Sequence, residues 1–202
     1  MSSDKGGHKM NVLDHNQPIL KYFEEISRIP HGSYHEQQLS NYLVQFALKH
    51  QLEYKQDDMG NVIMYKQGTQ GYEDHPAVML QGHIDMVCEK NNDCDHDFDH
   101  DPLALYVEDG WLKAKGTTLG ADDGYAVSYM LAVLESETIA HPPLVCVFTV
   151  QEEVGLFGAS HLKAEDLPVK RMIGMDTGGE VVTCVSSSGG RRTIVTKPLN
   201  KV

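Results

Sequence analysis

Leu144-Val-Cys-Val-Phe-Thr-Val-Gln-Glu-Glu153 is the stretch on which the fold turns. From Leu144 to Val150 the residues are apolar or β-branched without alternation, as in a strand covered on both faces, and the run stops at Gln151-Glu152-Glu153. Two other runs read the same way. Ala77–Gln81 (AVMLQ) gives out in Gly82-His83-Ile84-Asp85, and Met172–Met175 gives out at Asp176. Between them, Asp122–Glu135 carries Val127, Met130, Leu131 and Leu134 at the spacing of one helix face. Strands alternating with helices predict an α/β fold, a three-layer sandwich around a mostly parallel, mixed sheet.

Outward from this centre, Ile19, Leu20, Phe23, Ile26 and Ile29 recur at helical steps from Gln17, and Pro30 stops that helix. Ser33-Tyr-His-Glu36 has the form of a capping box opening a second helix, whose buried face is Leu39, Tyr42, Leu43, Phe46 and Ala47. A hairpin follows, Leu52–Gln56 and Asn61–Lys66 about a turn at 57–60. Trp111–Lys115 is expected to be a strand before a Gly-rich turn, and Val181–Arg192 the start of another. The organisation read from this is a flexible tail over 1–15, a catalytic domain over 16–190, and from 191 to 202 the start of a connection.

The 202 residues hold 17 basic and 29 acidic side chains, a net charge of −12, which repels nucleic acid and anionic membranes as main partners. A hydrophobic share of 41% with 23% charged residues is that of a globular chain, and no apolar run approaches the ~20 residues of a membrane span. Cys88, Cys94, Cys146 and Cys184 show no paired spacing, and the first residues have no apolar segment of a signal peptide. A reduced, cytoplasmic setting is expected.

Groups of metal-binding type stand where strands end or a helix starts: His83 and Asp85, Asp122, Glu152 and Glu153, Asp176. In open α/β sheets the ligand site lies beyond the carboxyl ends of the strands. Each piece alone has a bland reading. His-x-Asp is commonly a structural pair, adjacent glutamates are commonly solvated, and acids at a helix start suit its dipole. Order and spacing together carry the case, and no HExxH, GxSxG, Walker or dinucleotide fingerprint competes. Asp93–Asp101, with Asp at every second position, is read as a loop beside the site. His75, His141 and His161 are read as surface or loop residues, and Cys146 as core.

The strings LQGHIDMVCEKNND (80–93), GTTLGADDGYAVSYMLAVLE (116–135), TVQEEVGLFGAS (149–160) and MIGMDTGGE (172–180) resemble the co-catalytic zinc peptidases of the aminoacylase and carboxypeptidase family. Within it, SRIPHGSYHE (27–36) and the HDFDHDPL stretch (96–103) resemble the aminoacyl-histidine dipeptidases. The resemblance implies that His83 and Asp176 hold one zinc, Asp122 bridges two, Glu153 binds the second, Glu152 is the general base and Asp85 orients His83. It implies hydrolysis of Xaa-His dipeptides through a hydroxide on two zinc ions (cobalt or manganese in their place), a cis peptide at Asp122-Asp123, and a homodimer. The family also supplies a further zinc-binding histidine and a lid domain that this sequence does not contain, so the expectation is an N-terminal part of the catalytic domain with little activity alone. The alternatives are a related tripeptidase or N-acyl amino acid hydrolase, and a non-catalytic metal-binding or interaction module.

Overall fold

In the computed structural model, which describes residues 11–179, 182–186, 194 and 196–198, two helices and five strands come first, and helix and strand alternate from there on. The elements are α1 (Pro18–Ser27), α2 (Gln37–Lys49), β1 (Glu53–Gln56), β2 (Val62–Lys66), β3 (Val78–His83), β4 (Leu105–Glu108), β5 (Trp111–Ala114), α3 (Ala121–Glu135), β6 (Leu144–Thr149), α4 (Phe157–His161), a 3₁₀ turn (Ala164–Asp166) and β7 (Met172–Gly174). Pro18 opens α1, where its missing N–H costs nothing.

The main sheet has the order β1-β2-β6-β3-β7. β6 is its centre and is buried along its whole length, as the unbroken apolar run demanded. β6 and β7 both run parallel to β3, whereas β1–β2 and β2–β6 are antiparallel, so the sheet is mixed in equal parts. One face is covered by α1, α2 and α3: Tyr22, Ile26, Leu43, Met130 and Leu131 close over Val62, Met64, Cys146 and Phe148. The opposite face (Ile63, Met79, Val145, Val147) is covered by Leu162, Leu167 and Val169 around the 3₁₀ turn, a thinner third layer than the sandwich reading supposed. Among the described residues no helix is long and apolar enough to cross a membrane.

Several local expectations are corrected. The capping box does not form: neither Ser33 nor Glu36 caps α2, because both side chains are engaged elsewhere in the molecule. β5 pairs with β4 in a separate two-stranded sheet, and β4 was not foreseen because its side chains are largely exposed and carry no alternating pattern. His141 lies in a loop, as one of its two readings had it, but is buried there, while His75 and His161 are exposed and Cys146 is in the core. Residues 182–186 form no strand; the rest of the strand expected from Val181 to Arg192 lies outside the described residues. So do residues 1–10 of the expected tail and most of 191–202. Within 11–15, the amides of Val12 and Leu13 donate to Glu24 and His15 meets the same carboxylate at 3.1 Å.

Candidate metal centre

Strand register sets the centre. His83, the last residue of β3, lies opposite Thr149 of β6, and Gln81 lies opposite Gly174 of β7. Two residues beyond that last pair, Asp176 comes level with His83. Three parallel strands therefore release Asp85, Glu152-Glu153 and Asp176 at one edge of the sheet, where such folds place their ligands.

The start of α3 comes in over the same edge. Gly120 takes a left-handed conformation (φ 66°), Asp122 and Asp123 depart from helical geometry, and the bond between them is cis, as the resemblance implied. Asp122 is left largely exposed, with Oδ1 3.1 Å from His83 Nε2. Asp123 points inward, fully buried, and its Oδ2 accepts the His83 amide at 3.2 Å. Only a glycine at position 82 admits this approach, since a Cβ there would stand 2.7 Å from Asp123 Oδ2 and 2.9 Å from Ala126 Cβ. Asp122 and Glu153 form part of the wall of a cleft of ≈ 280 Å³ that also involves Val87 and residues 118–121.

Asp85 ties the strand ends together. Its Oδ1 accepts the amide of Glu152 at 2.9 Å; its Oδ2 accepts that of Glu153 at 3.2 Å and the hydroxyl of Ser33 at 2.8 Å. His83 Nδ1 donates to the Asp85 carbonyl at 3.0 Å and lies 3.3 Å from its carboxylate. One ring nitrogen is thus held inward, and Nε2 faces Asp122 and, at 3.9 Å, Glu152.

The charges follow from this geometry. Burial works against a charged His83, but the Asp85 hydrogen bond and the surrounding carboxylates overcome it and raise the imidazole to about 9. Burial also opposes the charge on Asp85, yet the bonds from His83, the Glu152 amide and Ser33 hold it below the usual carboxylate range. Desolvation raises Glu152 and Glu153, and it pushes Asp123 up to about 7. Asp123 Oδ1 is buried without a hydrogen-bond partner among the described residues, in keeping with a carboxyl group that keeps a proton readily.

Two overlapping groups of atoms stand close enough to share an ion: His83 with Asp122 and Glu153, and His83 with Glu152 and Asp176, all within 4.8 Å of one another in each group. An imidazole with its second nitrogen fixed by a carbonyl and a carboxylate, facing several carboxylate oxygens, is a donor set that fits zinc or a similar divalent ion. All six residues expected from the sequence are brought together here. Their pairing differs from the expected one, since Glu152, expected as the base, shares a group with Asp176. Ser33, Glu36 and Asp123 were missed as parts of the centre. Ser33 and Glu36 were visible as a motif but read as local, and Asp123 was visible only as the neighbour of Asp122. The aspartates of 93–101 join neither group.

Comparison with known proteins bears on the family and the fold. The cytosol non-specific dipeptidase of Escherichia coli (strain K12) is 41% identical over 174 residues, covering 86% of this chain and 36% of the relative. The crystal structure of an aminoacylhistidine dipeptidase from Vibrio alginolyticus superposes with a TM-score of 0.79 at 42% identity, covering 81% of this chain and 33% of that one. A tripeptidase from Staphylococcus aureus subsp. aureus Mu50, 24% identical, shares the fold at a TM-score of 0.69 over 85% of this chain and 46% of that one. The chain spans about a third of the length of the first two. The sequence pattern of peptidase family M20/M25/M40 matches residues 79–186, a span that takes in β3, α3, β6 and β7 with every acid they deliver to the centre. On that match the chain belongs to peptidase family M20/M25/M40.

Proposed function

We propose that this chain carries the metal-gathering part of a cytoplasmic peptidase that hydrolyses dipeptides, those ending in histidine among them. The observation that carries the reading is His83: a buried imidazole with Nδ1 held inward and Nε2 turned towards carboxylates from three other segments. The names of the Escherichia coli and Vibrio relatives support a dipeptide as substrate.

In this reading His83, Asp122, Glu153 and Asp176 hold the ions of a two-metal site, zinc first and cobalt or manganese as substitutes. When bound, the ions polarise the scissile carbonyl and make water a stronger acid. Glu152 takes a proton from the attacking water and passes it to the leaving amine. Its raised proton affinity, caused by burial, brings a carboxylate nearer to the strength a general base needs at neutral pH. Asp85 is the positioning residue, holding the His83 ring and the amides of both glutamates. Because both groups share the one imidazole of His83, the chain takes up about one ion tightly, and turnover by the chain alone is slow.

The test is zinc content after loading and dialysis against metal-free buffer. About one ion per chain, lost in His83→Ala, supports the reading; a chain that retains none overturns it. Relative rates on Ala-His, a tripeptide and an N-acetyl amino acid then decide the substrate class, and a preference for either of the last two overturns the dipeptide.

A further inference from the structure

Beyond the end of β6 the amides have no ladder partner, yet four in succession are satisfied by side chains. Val150 N–H donates to Asn61 Oδ1 at 3.0 Å, Gln151 N–H to Glu36 Oε1 at 3.1 Å, and those of Glu152 and Glu153 to the two oxygens of Asp85. The chain needs this support because Gln151 sits at φ 54°, a left-handed conformation that a non-glycine residue adopts at a cost. One of these side chains, Glu36, comes from the connection between α1 and α2, and a second from the same connection, Ser33, supports Asp85. Glu36 is buried, and its carboxylate crosses to Gln151, 115 residues away in sequence. Ser33 donates its hydroxyl to Asp85 Oδ2, the oxygen that also accepts the Glu153 amide. The same connection is laced to the end of β3, where Met86 N–H donates to the His31 carbonyl and Gly32 bridges to Met86.

The geometry points to Ser33 and Glu36 as positioning residues for the Glu152-Glu153 pair, the α1–α2 connection acting as a clamp that fixes where both carboxylates stand relative to His83. The inference rests on the proposed metal reading. A box meant to cap α2 would leave both side chains at the helix start; instead the helix begins without a side-chain cap, and both are directed to the strand exit. Partners that orient metal ligands from behind typically change metal affinity 10–100-fold when removed. The expected loss for each truncation is at the lower end, about tenfold.

The experiment compares the unsubstituted chain with Ser33→Ala, Ser33→Thr, Glu36→Ala and Glu36→Gln, the second and fourth keeping a hydroxyl or an acceptor oxygen. Amide hydrogen exchange is read at Gln151, Glu152 and Glu153, with Val147 inside β6 as internal control, and Co²⁺ affinity and absorption spectrum are read on the same samples. Expected are faster exchange at one or more of the three amides, about tenfold weaker Co²⁺ binding and an altered cobalt spectrum in the two alanine variants. Val147 is expected to be unchanged, with recovery in Thr and Gln. Unchanged exchange overturns the clamp, as does faster exchange with unaltered cobalt affinity. Faster exchange at Val147 as well identifies general unfolding and also counts against it. If the unsubstituted chain binds no cobalt, the metal reading fails, and exchange alone decides whether the clamp on the backbone exists.

Discussion

Between Asp93 and Asp101 the chain carries an aspartate at every second position, whereas the acids around His83 are scattered along the sequence as far as Asp176. The dense group closes on itself. Asp97 accepts the Asp99 amide and meets His100, Asp101 accepts the Asp97 amide, and Asp99 pairs with His35 from the α1–α2 connection. These side chains stand in solvent, where water meets whatever need is left. The scattered group converges where three strands end and a helix begins, and Asp85 and Asp123 are taken wholly out of water. A crowd of acids in a loop can be relieved by turning outward; acids fixed at strand ends cannot, and their mutual repulsion favours a cation or a proton. What makes a site is the immobility of the carboxylates, not their number.

The largest expected effect separates the two regions directly. His83→Ala abolishes zinc retention, while Asp95→Asn, Asp97→Asn and Asp99→Asn together leave zinc content after dialysis unchanged; loss of zinc in the triple variant breaks the comparison. Next comes stability of the metal-free chain. Asp85→Ala leaves two amides and a serine hydroxyl without their acceptor, takes the carboxylate away from a buried histidine, and costs about 3 kcal/mol or more. Asp97→Ala leaves the thermal midpoint nearly unmoved, and equal shifts in the two variants contradict the account.

A buried carboxylate outside the centre sharpens the point. Glu24 is buried, yet the amides of Val12 and Leu13, His15 and Arg28 donate to it and, against the cost of its burial, hold it below its ordinary value of 4.5. A carboxylate with a lowered folded pKa contributes stability above its ordinary value and loses it as pH falls through the folded one. Glu24→Gln is therefore expected to lower the thermal midpoint most near pH 6, with the gap narrowing below pH 4.5; a gap that widens in acid contradicts the assignment. The smallest effect belongs to the His35–Asp99 pair, half exposed on both sides. His35→Ala costs about 0–1 kcal/mol in chemical unfolding.

Most of the site was legible because its residues sit at the ends of elements whose apolar pattern is strong. β6 is legible from seven residues that no solvent-facing segment would carry, and Glu152-Glu153 follow from where it stops. The Ser33–Glu36 motif misled for a physical reason: its spacing matches a local cap, but the side chains bond to partners 52 and 115 residues away. No local rule weighs a distant acceptor against a nearby one. β4 was invisible for the opposite reason, since an exposed short strand has no burial pattern to display.

The sequence by itself determined the elements with a strong apolar pattern, the order in which their ends deliver His83, Asp85, Asp122, Glu152, Glu153 and Asp176, and the membership in the peptidase family. All of these follow from periodicity and short motifs, which are written in adjacent residues. Only the tertiary structure decided that Asp85 is the hub, that Asp123 lies buried beneath β3 with an unpaired oxygen, and that the α1–α2 connection holds the strand exit. Those relations depend on strand register and on which polar groups lose water together, and both come into being only when the chain has packed.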